Sequence, residues 1–379
     1  MRRIFALALS IAATPLLAAE PTSSKYWVFV GTYTGKASKG IYRCEFDAAT
    51  GKLGKPELAA EVTNPSFLAI APDHKHLYAV GETGDGGKAG QVYALSLDAK
   101  TGKLWALNSQ TSGGSGPCHI SVDRQGKNVL VANYGGGSAE IVPIAEGGNL
   151  TEPSCFVQHK GSGVNRDRQE APHAHSINLD PSGKFAVVAD LGLDKVLVYK
   201  YDADSGKITP SDPAYLKIAD GAGPRHFAFH QTKPFAYVIN EIKCTMNALH
   251  YTPEGKFEIV QTISTLPHEL REGYSTAEVQ VHPSGKFVYG SNRGQNSIAA
   301  FKIDPETGKL TLIGHQGEGI KTPRNFGIDP TGKWMIVGNQ DGDSMIVYAI
   351  NPDSGELSPT GTMVEVGAPV CVKFVAKGE

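Results

Sequence analysis

A short turn recurs seven times along this chain, each copy roughly 50 residues from the last and each following an apolar stretch. The copies are Asp47 to Leu53 (DAATGKL), Asp98 to Leu104 (DAKTGKL), Ala145 to Leu150 (AEGGNL), Asp202 to Ile208 (DADSGKI), Thr252 to Phe257 (TPEGKF), Asp304 to Leu310 (DPETGKL) and Asn351 to Leu357 (NPDSGEL). Asp, Pro and Gly recur because a tight turn needs fixed or positive φ and local side-chain hydrogen bonds. A second turn, inside a strand pair, has six copies: Pro72 to Lys75, Arg124 to Lys127, Pro181 to Lys184, Gln231 to Pro234, Pro283 to Lys286 and Pro330 to Lys333. A short strand leads into each, as in SFLAI, CHISV, HSINL and RNFGI. That strand has a seventh copy, Pro369 to Phe374, with no partner strand after it. The missing partner, Tyr26 to Tyr33, stands at the other end of the chain.

Units of about 50 residues with four short strands describe the blades of a β-propeller. Seven of them fill residues 20–379. The expected fold is all-β, a seven-bladed β-propeller whose C-terminal strand is the innermost strand of the N-terminal blade. Such closure removes the exposed end of an open repeat array. A linear solenoid leaves the split unit unexplained. The 44 glycines and 23 prolines, with no collagen period, agree with a turn-rich β chain.

Charge is nearly balanced, 36 Lys and Arg against 38 Asp and Glu, which gives no support to a general nucleic-acid or membrane-surface role. The first residues, MRRIFALALSIAATPLLAAE, place two arginines before an apolar run and small residues. They read as a secretory signal peptide, residues 1–19, cleaved near Ala19, with the mature protein periplasmic or secreted and free of the membrane. The apolar run, about 15 residues, is short of the roughly 20 that a spanning helix needs. The five cysteines (44, 118, 155, 244, 371) show no CxxC spacing, which argues against a zinc site and a dense disulfide framework. Buried free thiols are expected, Cys44 and Cys371 within strand patterns.

One stretch joins the repeat to chemistry. Gly221 to Glu241, GAGPRHFAFHQTKPFAYVINE, reads as two strands around a turn, with Arg225 and His226 at one open end and Asn240 and Glu241 at the other. In an antiparallel pair these ends lie side by side, so Arg225 and Glu241 are expected to be neighbours.

Superimposing the seven units extends the pattern. The inner strand starts with Ser66, Cys118, His175, Arg225, Ala277, Arg324 and Val370, followed by Phe67, His119, Ser176, His226, Glu278, Asn325 and Cys371. The second strand ends in Tyr33, Glu82, Tyr134, Leu191, Glu241, Arg293 and Gln340, preceded by Thr32, Gly81, Asn133, Asp190, Asn240, Asn292 and Asn339. Strand interiors stay apolar, whereas these rim positions do not converge on one residue type. A rim carrying Arg225, Arg293 and Arg324 with His175 and carboxylates suits an anionic small molecule, since Arg forks onto carboxylate or phosphate. His119, His226, Asn240 and Asn292 are further candidate contacts, although strand alternation turns one side chain in two into the blade. Asn133, Asp190 and Glu82 are the one candidate metal set, and the arginines crowd it. No metal or cofactor is expected. An insertion, Gly161 to Pro172, lengthens the third unit and delivers Arg166, Arg168 and Gln169 to the rim beside His175.

Several of these stretches together resemble the lactonase family of seven-bladed propellers, which includes bacterial 6-phosphogluconolactonases and fungal carboxymuconate-lactonising enzymes. They are GTYT, GIYRCEFD, GPCHISVD, VANYGGGS, PHAHSINLDP, GAGPRHFAFH, VINE and SNRG, in this order over nearly the whole mature chain. The resemblance implies that His175, Arg225, Glu241 and Arg293 form the reacting cluster and that a lactone is opened, or in the fungal branch formed, without a metal. The expected partner is a small anionic lactone or sugar acid, and the expected state is a monomer. The export signal departs from a cytoplasmic phosphogluconolactonase and favours a lactone that is not phosphorylated. In hydrolysis the arginines would stabilise developing charge, and either Glu241 or His175 would act as base. No GxSxG motif is present, which favours direct attack by water. A carboxymuconate-type cycloisomerase and a non-catalytic exported binding propeller are the alternatives.

Overall fold

The computed structural model describes residues 23–84 and 87–378. The expected signal, residues 1–19, lies outside them. The seven units form seven antiparallel sheets, and in most of them four strands follow one another in chain order. Pro224–Phe229, Phe235–Asn240, Thr245–Tyr251 and Phe257–Ser264 make one such blade. In the first blade the innermost strand is Pro369–Ala376, paired with Lys25–Thr32 from Tyr26 opposite Ala376 to Thr32 opposite Pro369. The ring closes as expected. The outer edge of that blade is shared by Lys52–Leu53 and Glu57–Glu61, both paired with Gly40–Asp47.

The second strand of a blade reads as an apolar run because neighbouring blades cover both its faces. Phe185–Asp190 and Phe235–Asn240 are buried at every position. Joints between blades also use the glycine of the recurrent turn. Gly51 has φ +72°, and a Cβ there would lie 2.5 Å from the Trp334 ring of the preceding blade in the ring. The indole Nε1 of Trp334 donates to the Ala48 carbonyl at 2.8 Å. Gly102 and Trp27 repeat this joint, with Trp27 Nε1 donating to Ala99 at 2.9 Å. The turn signal is therefore a packing signal too. All five cysteines are free thiols, four of them buried.

Candidate active site

The inner strands carry a shared irregularity. In the blade of Arg225, Pro224 pairs with Asn240 and His226 with Ile239, so Arg225 is the extra residue of a bulge. The same shift leaves His175 between paired Ala174 and Ser176, Cys118 between Pro117 and His119, and Arg324 between Pro323 and Asn325. A bulge breaks the two-residue alternation and re-aims a side chain. Here it turns this position of several blades toward one mouth of the channel.

Glu241 is the hub of that mouth. Its Oε2 accepts from Arg225 Nε at 2.8 Å and forms an ion pair with Arg293 Nη2 at 3.0 Å, while its Oε1 accepts from Arg168 Nη2 at 2.5 Å. Arg225 Nη1 also donates to the Ala277 carbonyl at 2.7 Å, and Arg293 Nη2 to that of Thr276 at 2.8 Å. Burial opposes ionisation of Glu241, but the charges of Arg293, Arg225 and Arg168 outweigh it and hold the carboxyl well below its ordinary range.

His175 Nε2 stands 3.9 Å from Glu241 Oε2, beyond hydrogen-bond reach. Burial first, then the charge of Arg225, lowers its pKa well below 6.5, so the ring is neutral. Its Nδ1 lies 3.6 Å from Cys118 Sγ, which is also 3.7 and 3.5 Å from the carbonyl oxygens of Ala174 and His175. The thiol hydrogen can take either carbonyl, leaving sulfur to accept from Nδ1–H and Nε2 bare toward the cavity.

The cavity has a volume of about 290 Å³ and is lined by Glu82, Cys118, Tyr134, Arg168, His175, Glu241, Ser275, Arg293 and Arg324. Arg324 lies over the Tyr33 ring, 5.3 Å from its centroid, and joins no ion pair among the described residues. Burial works against its charge, but Tyr33, Glu82 and Glu241 reverse the balance and raise its pKa. Tyr33 Oη in turn donates to Glu82 Oε2 at 2.9 Å.

The insertion lies over this mouth through Arg168 alone. Gln169 is buried and anchors the loop, its Nε2 donating to the Leu191 carbonyl and Asp194 Oδ1, each at 2.8 Å. Arg166 is exposed.

The structure brings together His175, Arg225, Glu241, Arg293, Arg324 and Arg168. Four expectations are corrected. His119 and His226 are not at the cavity but in a buried layer beneath it, their rings 5.4 Å apart and His226 5.4 Å from His175. Asn240 and Asn292 line no part of the cavity, because one step along a strand reverses the side chain. They clasp the turn after their strand, with Nδ2 donating to Thr245 Oγ1 at 2.9 Å and Ser297 Oγ at 3.2 Å. Asn133 with Ser138 and Asn339 with Ser344 do the same. This register position does converge, on a structural asparagine. The candidate metal set does not assemble either. Asn133 is spent in its clasp, Asp190 accepts from or pairs with His159, His173 and Leu193, and Glu82 accepts from Tyr33. Tyr134 and Cys118 are legible as rim positions without being singled out, and Glu82 only as a candidate metal ligand, whereas Ser275 lies two places before Ala277, outside the superimposed positions.

Cations around one neutral imidazole supply charge for a developing oxyanion and a proton acceptor for water. That is the equipment of an enzyme acting on small acidic or polyhydroxylated carbonyl compounds. A family profile described as lactonase, 7-bladed beta-propeller, matches residues 27–374. The chain is 36% identical over 353 residues to a 6-phosphogluconolactonase of Bacillus subtilis, covering 93% of this chain and 99% of that one. It is 33% identical over 306 residues to a 6-phosphogluconolactonase of Formosa agariphila, covering 80% and 86%. The solved structure of the periplasmic gluconolactonase PpgL of Pseudomonas aeruginosa superimposes with a TM-score of 0.89 at 32% identity, covering 94% of this chain and 100% of that one. The chain belongs to the lactonase family of seven-bladed β-propellers.

Proposed function

We propose that this protein hydrolyses the ring ester of a sugar-acid lactone in the cavity around His175. Relatives named as 6-phosphogluconolactonase and gluconolactonase support a lactone hydrolase of this type. The observation that carries the mechanism is the contrast between Glu241, fixed by three guanidiniums, and His175, neutral with Nε2 unspent. Glu241 is too strongly stabilised as a carboxylate to take a proton, which makes it the group that positions the arginines. His175 is the base.

Water gives a proton to His175 Nε2 as its oxygen bonds to the lactone carbonyl carbon. The carbonyl oxygen becomes an oxyanion beside Arg293, whose charge is already in place, with Arg225 buried behind Glu241. Collapse breaks the bond to the ring oxygen, and that alkoxide takes the proton back from His175, leaving a hydroxy acid. Arg324, with no carboxylate partner among the described residues, binds the acidic or hydroxylated end of the substrate. The export reading of residues 1–19 favours a substrate without phosphate, processed outside the cytoplasm.

Purified protein incubated separately with gluconolactone, 6-phosphogluconolactone and a carboxymuconate tests this, corrected for spontaneous hydrolysis. Faster opening of either sugar lactone, with KM raised in Arg324→Ala, is expected. Turnover of carboxymuconate alone would replace hydrolysis with cycloisomerisation, and no turnover of any would overturn the proposal.

A further inference from the structure

The opposite mouth of the same channel is hollow as well. A cavity of about 710 Å³ opens there, beside Arg124 and Pro330 of the strand-pair turns, with Phe67, His119, His226 and Glu278 at its inner end. Two residues further along each inner strand, its wall is Ala69, Ser121, Asn178, Ala228, Gln280, Gly327 and Lys373. Small and polar side chains stand where large apolar ones would fill the axis.

Two buried polar atoms in this wall have no partner among the described residues, His226 Nε2 and Asn178 Nδ2. His226 is 4% exposed, and its Nδ1 lies 3.2 Å from Glu278 Oε2. With the proton on Nδ1 toward that carboxylate, Nε2 is left as an acceptor. Asn178 Nδ2 is a donor. Orphaned groups of this kind cost stability unless something meets them. Lys373 makes no ion pair among the described residues, and its Nζ instead lies 4.6 Å from the Phe67 ring centroid. Arg124 at the mouth is likewise without an ion-pair partner among the described residues, and it is exposed. Glu278 is turned into the wall, its Oε1 taking the Val279 N–H at 3.0 Å and its Oε2 the Asn325 amide.

We propose that this second cavity is a binding site for a small hydroxylated carboxylate, held by the Lys373 ammonium through its carboxylate and by His226 Nε2 and Asn178 Nδ2 through a hydroxyl. The hydroxyl donates to the imidazole nitrogen and accepts from the amide. The buried histidine layer separates this site from the one around His175, so the two fill independently. The site stands on its own residues and does not depend on the hydrolytic reading of the first.

Calorimetric titration with gluconate tests it, using the intact protein, Lys373→Met, Asn178→Ala and Arg324→Ala. Two binding events are expected in the unaltered protein, and Arg324→Ala retains the one at the second cavity. Lys373→Met weakens that event about tenfold, the scale of one hydrogen bond to a charged group, and Asn178→Ala about fivefold, the scale of a neutral one. Acetate, which lacks the hydroxyl, binds more weakly than gluconate and is unaffected by Asn178→Ala. Binding abolished by Arg324→Ala alone, or titrations of both Lys373→Met and Asn178→Ala that match the unaltered protein, would leave a solvent-filled funnel and overturn the proposal. Should Lys373→Met fail to fold, Asn178→Ala decides. Lactone turnover in that variant is expected to be unchanged, so failure at one cavity is distinguishable from failure at the other.

Discussion

Arg225 Nε donates to Glu241 Oε2 at 2.8 Å, across 16 residues of chain, and both side chains are almost fully buried. The pair joins the bulge of an inner strand to the end of its neighbour, and Arg293 and Arg168 close on the same carboxylate from another blade and from the insertion. One carboxylate therefore holds three separate segments in register.

Replacing Glu241 with Gln keeps the shape and removes the charge. Arg225 and Arg293 are then buried without compensation, which costs on the order of 3 kcal/mol. Urea unfolding measures this loss. With the arginines no longer fixed, kcat/KM for lactone opening is expected to fall by about 100-fold or more, the scale of a lost oxyanion partner. A Glu241→Gln variant with unaltered kcat/KM would remove Glu241 from the mechanism.

His175 must be unprotonated to accept the proton of water. Its folded pKa lies well below 6.5, so activity is lost only as pH falls through that depressed value and is unchanged through pH 6.5 itself. A kcat/KM profile against pH checks the position of the acid limb. An inflexion at or above 6.5 contradicts the assignment. His175→Gln is expected to lower kcat by about 100-fold or more across the whole range.

Glu140 is buried with Oε2 unpartnered among the described residues, and burial raises its pKa to about 8. Above pH 4.5 the unfolded chain releases this proton while the folded protein keeps it. Stability is therefore lost as pH rises from about 4.5 to about 8. Glu140→Gln abolishes that linkage. Urea midpoints of the variant and the unaltered protein are expected to converge toward pH 5 and to separate at pH 8, with the variant more stable. A difference independent of pH would show that Glu140 is ionised in the folded state.

Gly51→Ala tests the ring closure. The added methyl meets the Trp334 ring and the residue keeps φ +72°, so both packing and backbone resist it. A loss of about 1–3 kcal/mol is expected, the range of overpacked sites. Thermal unfolding followed by tryptophan fluorescence reports it. Gly361→Ala, also at positive φ but with open space around it, gives the backbone share alone and is expected to cost less.

The sequence carried the ring and much of the site. A repeat superimposed on itself places equal positions at equal depth, so Arg225, His175, Glu241, Arg293 and Arg324 were legible as rim residues before any coordinate. It misplaced His119, His226, Asn240 and Asn292, because a simple strand register contains neither the bulge at Arg225 nor the Asn clasp at the next turn. Ser275 escaped the superposition because it stands two places before Ala277, ahead of the position at which the units align.

Seven turns at a fixed spacing and a strand split between the two ends of the chain determined the closed propeller by themselves. Turn chemistry and alternation act within a few residues, so they are written locally. Which carboxylate stays charged, which histidine stays bare and which arginine stays unpaired depended on distances between segments from different blades. Arg168 shows the reason most plainly. Its loop is visible in the sequence as extra length, but its ion pair with Glu241, 73 residues away, exists only once the blades have closed around the axis.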